Sequence, residues 1–187
     1  MGAVTPMLRD RAADPSLHDV ELVVQVARGD LGALGVLYDR YAQSLLRFAR
    51  RHSPAEDAED VVQTAFLRAV TAATRFDPKR SVRPWLFGIM VQVLRERRRS
   101  LRRLLAAMTA LAQLPTTVAA EPSEARRDLE RCLGRLSEAK RTVVLLAEVH
   151  GLTCPEIAEV LGIPIGTVWT RLHHARRDLR RDLEETP

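Results

Sequence analysis

Cysteine is nearly absent: the 187-residue chain carries two, Cys132 and Cys154. They lie far too widely apart for a C-x-x-C clip, so neither a disulfide framework nor a cysteine zinc site is expected, and both read as packing residues. Aromatic residues make up 4%, and no stretch shows the period-two alternation of a half-buried strand. No apolar window approaches the length of a membrane span, and the opening MGAVTPMLRDRAADP lacks a signal peptide's apolar segment. A cytoplasmic protein without direct membrane insertion is expected. Paired carboxylates beside a Lys or His, a Gly-rich phosphate cradle and a nucleophile next to a base are all missing. An enzyme is therefore not expected, nor a cofactor.

What is present is charge and helical periodicity. The formal charge is +5, which suits an acidic partner, nucleic acid or anionic membrane. Residues 151–181, GLTCPEIAEVLGIPIGTVWTRLHHARRDLRR, read as two short helices joined by a tight turn. Thr153 and Glu156 have capping-box spacing, Pro155 falls in the first turn, and Gly162 stops the helix. A second helix begins near Pro164 and turns Val168, Leu172, Ala175 and Leu179 inward. At about 100° per residue, the opposite side carries Thr170, His173, His174 and Arg177, flanked by Trp169, Arg171 and Arg176. Two helices with a Gly-containing turn and a basic second helix form the helix-turn-helix pattern, although a surface helical hairpin shares it. Adjacent histidines point in different directions on a helix and lack further ligands, so no metal site is expected.

Residues 1–18 read as a mobile leader. A helix from Asp19 carries Val20, Leu22, Val23 and Val26 and ends at Gly29, with Asp30 capping a second helix that runs to about His52 and turns Leu34, Leu37, Tyr38, Tyr41, Leu45, Leu46 and Phe48 to the core. Ser53, Pro54 and Glu56 repeat the capping arrangement, predicting a third helix with Val61, Val62, Ala65, Phe66, Leu67 and Val70. Its acidic first turn, Asp57, Glu59 and Asp60, suits the positive end of the helix dipole and equally leaves room for a functional role. RFDPKRSVRP, residues 75–84, breaks the periodicity and predicts an exposed loop. Pro84 then opens a helix with Leu86, Ile89, Met90, Val93 and Leu94 inward, Gly88, Gln92, Arg95, Glu96 and Arg99 outward, and a polybasic end. Composition changes at Leu104, so residues 104–122 read as a linker between a domain at 19–103 and another at 123–187. In the second domain, Ser123 and Ser137 are expected to cap helices that carry Leu129, Leu133 and Leu136, and Val143, Val144, Leu146 and Ala147. The fold class expected is all-α: two small helical domains joined by a flexible linker, the C-terminal one a helix-turn-helix.

DAEDVVQTAFLRA (57–69), RFDPKRSVRPWLF (75–87) and EIAEVLGIPIGTVWTRLHHAR (156–176), in that order, resemble the extracytoplasmic-function group of sigma-70-type RNA polymerase sigma factors. The match runs from about residue 19 to 183. It implies a promoter-melting domain, region 2, and a helix-turn-helix domain, region 4, that together bind core RNA polymerase and direct initiation without catalysing a covalent step. It implies that Asp57, Asp60 and Gln63 dock on the β′ clamp, with the β subunit also contacted. Phe76, Lys79, Arg80 and Ser81 would capture a base flipped from the minus-10 element, and Gln92, Arg95 and Arg99 would lie along that element. Thr167, Trp169, Thr170, Arg171, His173, His174 and Arg177 would meet the minus-35 element. The further partner implied is an anti-sigma factor, often the cytosolic part of a membrane protein, for which Leu104, Leu105, Met108, Leu111 and Leu114 offer apolar contacts. The chain departs from the family pattern where Gln92 and Glu96 replace an Asn-x-x-x-Asp. The alternative is a conventional helix-turn-helix regulator that does not bind core polymerase.

Overall fold

The computed structural model describes residues 18–109 and 131–184. The chain divides into two compact units, residues 1–113 and 114–187, and among the described residues all regular structure is helical. Residues 1–17 of the leader, the expected cap at Ser123, and Leu111, Leu114 and Leu129 lie outside the described residues.

The first unit packs four helices: α1 (Asp19–Ala27), α2 (Leu31–Ala49), α3 (Ala58–Ala73) and α4 (Val82–Thr109). Helix α1 buries Leu22, Val23 and Val26 and is stopped by Gly29, whose φ of 91° is open to glycine at no steric cost. Asp30 then caps α2 by accepting from the backbone N–H groups of Gly32 (2.8 Å) and Ala33 (3.3 Å). Across the turn, Asp19 accepts from Arg40 at 2.6 Å and from the Tyr41 hydroxyl, pinning α1 to α2. Burial and the Asp19 carboxylate push the Tyr41 phenol well above its usual range.

Three local expectations change. Helix α2 ends at Ala49, and Ser53 gives its hydroxyl proton to the Ala49 carbonyl at 2.9 Å, so it does not cap a third helix. A 3-10 turn at Ala55–Asp57 intervenes, and α3 starts at Ala58. Helix α4 begins at Val82, with Pro84 inside its first turn, where no intrahelical N–H bond is lost. Tyr38 and Leu67 are exposed, because the buried faces centre on Val36 and Leu37 in α2 and on Val62, Ala65 and Phe66 in α3. The core closes where Phe87 of α4 meets Phe48 of α2 edge to face, ring centroids 5.5 Å apart. Both rings are fully buried.

Helix α4 continues through the change of composition at Leu104 as far as Thr109. The first residues of the expected linker are therefore helical.

The second unit contains helical residues 131–135, α5 (Glu138–Val144) continued by a π-helical segment (Leu145–Val149), α6 (Cys154–Leu161) and α7 (Ile165–Glu184). Its core joins Leu133, Leu136, Val143, Leu146, Ile157, Leu161, Val168, Leu172 and Ala175. Ser137 stands at the start of α5 but makes no side-chain capping bond. Arg141 does capping work instead: its Nη2 donates to the carbonyls of Gly134 (3.0 Å) and Leu136 (3.3 Å), closing the end of the preceding helix. Lys140 reaches Asp178 at 2.6 Å and ties α5 to α7.

Candidate nucleic-acid interface

In the second unit, local chemistry sets the pose of α7. Thr153 and Glu156 form the expected capping box: the Thr153 N–H donates to the Glu156 carboxylate at 2.8 Å while the Glu156 N–H reaches the Thr153 hydroxyl. Gly162, at φ 65°, ends α6 in the left-handed region, and α7 starts three residues later. Val168, Leu172 and Ala175 are buried, so the opposite side of α7 is fixed outward. Thr170, His173 and Arg177 are exposed on that side. The Thr170 hydroxyl donates to the Gly166 carbonyl at 2.9 Å, which leaves its lone pairs to accept.

The flanks behave differently. Trp169 is exposed at 58%, so it is no core residue. Thr167 and Arg171 are half-buried. His174 is also half-buried, and its Nδ1 is turned inward without a hydrogen-bond partner. Its ring lies edge-on to His173 at 5.6 Å, so the two imidazoles do not converge on one point. Arg176 is committed within the unit: Nε and Nη2 both reach the Glu148 carboxylate, at 2.9 and 2.5 Å. That pair joins α7 to the π-helical segment across 28 residues of sequence, and no local pattern announces it.

In the first unit, two surfaces stand on α3 and α4. Asp60 and Gln63 occupy the N-terminal part of α3 and Asp57 ends the 3-10 turn just before it, with Gln63 exposed. Arg97 of α4 leans over the acids: Nη1 donates to the Asp57 carbonyl at 3.0 Å, and the guanidinium stands 3.9 Å from the Asp57 carboxylate and 3.7 Å from that of Asp60. This arginine holds both carboxylates near α4 while leaving Asp60 66% exposed. The loop before α4 is shaped by Asp77, which accepts from the Lys79 N–H at 3.0 Å through its side chain and from the Arg80 N–H at 2.9 Å through its carbonyl. Lys79, Arg80 and Ser81 are consequently presented to solvent. Phe76 is half-buried and tilted against Trp85, ring centroids 4.9 Å apart, which makes an aromatic wall at the loop's edge. Gln92, Arg95 and Arg99 are exposed along one side of α4, spaced by single helical turns.

The geometry gives two exposed basic surfaces with aromatic groups beside them, and one acidic patch. Among the described residues there is no group of His, Cys, Asp and Glu able to hold a metal ion. None of the described helices is long and apolar enough to cross a membrane.

Comparison with known proteins resolves the combination. Residues 37–104 match the family model for sigma-70 region 2, and residues 126–179 that for sigma-70 region 4. The chain is 34% identical to the RNA polymerase sigma factor CnrH of Cupriavidus metallidurans, over 89% of this chain and 94% of that one. It is 35% identical to the ECF RNA polymerase sigma factor SigL of Mycobacterium tuberculosis, over 85% and 93%. Among solved structures, it resembles CnrH in complex with the cytosolic domain of CnrY, at a TM-score of 0.69 and 31% identity over 90% of this chain and 99% of that one. It also resembles the sigma factor RpoE of Bartonella quintana in complex with the anti-sigma factor NepR, at a TM-score of 0.69 and 25% identity over 78% and 92%. Two region matches in family order, with relatives aligned over nearly their whole length, exclude a conventional helix-turn-helix regulator. The chain belongs to the sigma-70 family, in its extracytoplasmic-function group, and is a promoter-specific transcription initiation factor of RNA polymerase.

Proposed function

We propose that the two units grip one promoter at two places while the first unit holds the polymerase. In this reading residues 19–103 act as region 2 and residues 123–187 as region 4, with residues 104–122 connecting them. Asp57, Asp60 and Gln63 dock on the β′ clamp, since exposed carboxylates and an amide complement a basic surface. The β subunit is the second polymerase contact. Phe76, Lys79, Arg80 and Ser81 capture a flipped minus-10 base, the Phe76–Trp85 wall stacking on it and the cations holding phosphate. Gln92, Arg95 and Arg99 lie along the minus-10 element. Thr167, Trp169, Thr170, Arg171, His173, His174 and Arg177 form the minus-35 interface; Thr170, His173 and Arg177 enter the groove, and the half-buried Thr167, Arg171 and His174 line its edge.

The observation that carries the reading is the placement of an acidic patch, a cationic aromatic loop and a polybasic helix within one unit, apart from the reading helix in the other. Opening then needs no ATP, because captured bases stabilise the melted strands. The protein works in the cytoplasm and has no enzymatic role of its own. The solved RpoE relative carries the anti-sigma factor NepR, and the same kind of control is proposed here through an anti-sigma factor that contacts the apolar residues from Leu104 to Leu114. The test is reconstituted initiation with core polymerase. Phe76→Ala and Arg80→Ala should reduce permanganate-detected opening far more than closed-complex binding. Equal loss of both would refute the capture role.

A further inference from the structure

The acidic residues at the start of α3 do not face solvent alone. Arg97 of α4 stands 3.9 Å from the Asp57 carboxylate and 3.7 Å from that of Asp60, and Arg50, at the C-terminal cap of α2, stands 3.9 Å from that of Glu59. None of these approaches is as short as a hydrogen bond. The position of Arg97 is unexpected for a cation. It follows the buried Met90 and Val93 by two turns and one turn, so it continues the inward stripe of α4. Its Nη1 donates to the Asp57 carbonyl at 3.0 Å, and this bond anchors the guanidinium over the acids. Stability does not require the two arginines. Carboxylates in the first turn of a helix are already favoured by its dipole, and these ion pairs, with side chains between 41% and 71% exposed, contribute little. What the arginines change is the field outside the patch: an approaching basic surface meets carboxylates that are already partly neutralised.

We infer that Arg97, assisted by Arg50, is a built-in competitor for the polymerase clamp. The cations of the clamp must take Asp57 and Asp60 from an arginine that already stands over them, so the chain binds core polymerase less tightly than the bare acidic patch would. The contact is autoinhibitory, and its loose geometry suits that role. A guanidinium held by a backbone carbonyl and only near the carboxylates weakens the patch without closing it, and Asp60 stays 66% exposed. The inference rests on the proposal that Asp57 and Asp60 dock on the clamp.

Titration of full-length variants against core polymerase, without promoter DNA, tests it. Arg97→Gln keeps an N–H donor for the Asp57 carbonyl while removing the charge. It should bind core about two- to fivefold more tightly than the native chain, with the melting temperature unchanged. Arg97→Lys keeps the charge and should bind as the native chain does. Arg50→Gln uncovers only Glu59 and should give a smaller gain than Arg97→Gln. Raising the salt concentration should close the gap between Arg97→Gln and the native chain, because the competing attraction is screened. If Arg97→Gln binds core no more tightly than the native chain, the inference is overturned, and a fall in melting temperature with unchanged affinity would make Arg97 a structural brace instead. A gain shared by Arg97→Lys, or one that salt leaves untouched, would also overturn it, since charge would then not be the cause. If Asp60→Asn leaves core binding intact, the clamp assignment itself fails and takes the inference with it.

Discussion

The two units build their exposed surfaces by different means. In the second, the start and outward side of α7 are set by neighbours in sequence: the Thr153–Glu156 box starts α6, Gly162 ends it, and Val168, Leu172 and Ala175 fix which side of α7 faces out, while the distant pairs Lys140–Asp178 and Arg176–Glu148 brace the helix away from that side. In the first, the surfaces proposed for docking and for DNA depend on side chains brought together from afar. Arg97 reaches Asp57 across 40 residues, and Arg68 reaches Glu96 across 28. The second unit's surface should therefore tolerate single substitutions as separate losses, whereas changes on α3 should be felt on α4.

The largest effect should come from the core on which the first unit's surfaces rest. Phe87→Ala removes a fully buried ring from its edge contact with Phe48 and should destabilise that unit by about 3–5 kcal/mol. Denaturation followed separately in the two units should show the second almost unmoved; a common shift would mean that they unfold as one. Next in size, Arg177→Ala should weaken minus-35 binding by about 1–3 kcal/mol with polymerase affinity unchanged, as titration of a promoter fragment and a core pull-down would show. Arg176→Ala, one residue away, breaks only the exposed pair with Glu148 and should cost about 0–1 kcal/mol of stability, visible as a small fall in melting temperature. That contrast between adjacent arginines distinguishes groove contact from internal bracing.

The smallest effect is pH-dependent. Lys140, through its hydrogen bond and charge, holds the Asp178 carboxyl below the usual range. Because the folded-state pKa is the depressed one, the stabilisation is present above the unfolded carboxylate's pKa and is lost as pH falls through the lower folded value. Asp178→Asn should therefore lower the melting temperature near neutrality, and the difference from the native protein should close in acid. A difference that stayed constant with pH would deny the linkage.

Much of this was legible in the sequence, for reasons tied to distance along the chain. The Asp30 cap, the Gly29 and Gly162 stops, the Thr153 box and the inward stripes of α4 and α7 are set within a turn or two, where spacing determines geometry. Ser53 misled because its hydroxyl had two backbone targets within reach, and the carbonyl at the end of α2 won. His174 was placed outward by periodicity, but a residue at the border of a face is assigned by the neighbours it meets, and its Nδ1 turned in. Arg176 belonged to Glu148, Arg97 to the acids of α3 and Arg68 to Glu96. None of these pairs leaves a local signal, since each joins residues that only the fold makes neighbours. The family resemblance supplied the roles proposed for Asp60 and Phe76, which composition and periodicity alone could not.

The account divides polymerase docking from promoter reading, and Asp60→Asn set against Arg177→Ala in one reconstituted initiation assay tests that division most directly. Asp60→Asn should lose core-polymerase binding while the chain keeps its affinity for minus-35 DNA, and Arg177→Ala should do the reverse, both ending in reduced transcript. If Asp60→Asn left core binding intact, or Arg177→Ala lowered it, the assignment of these two surfaces would be contradicted.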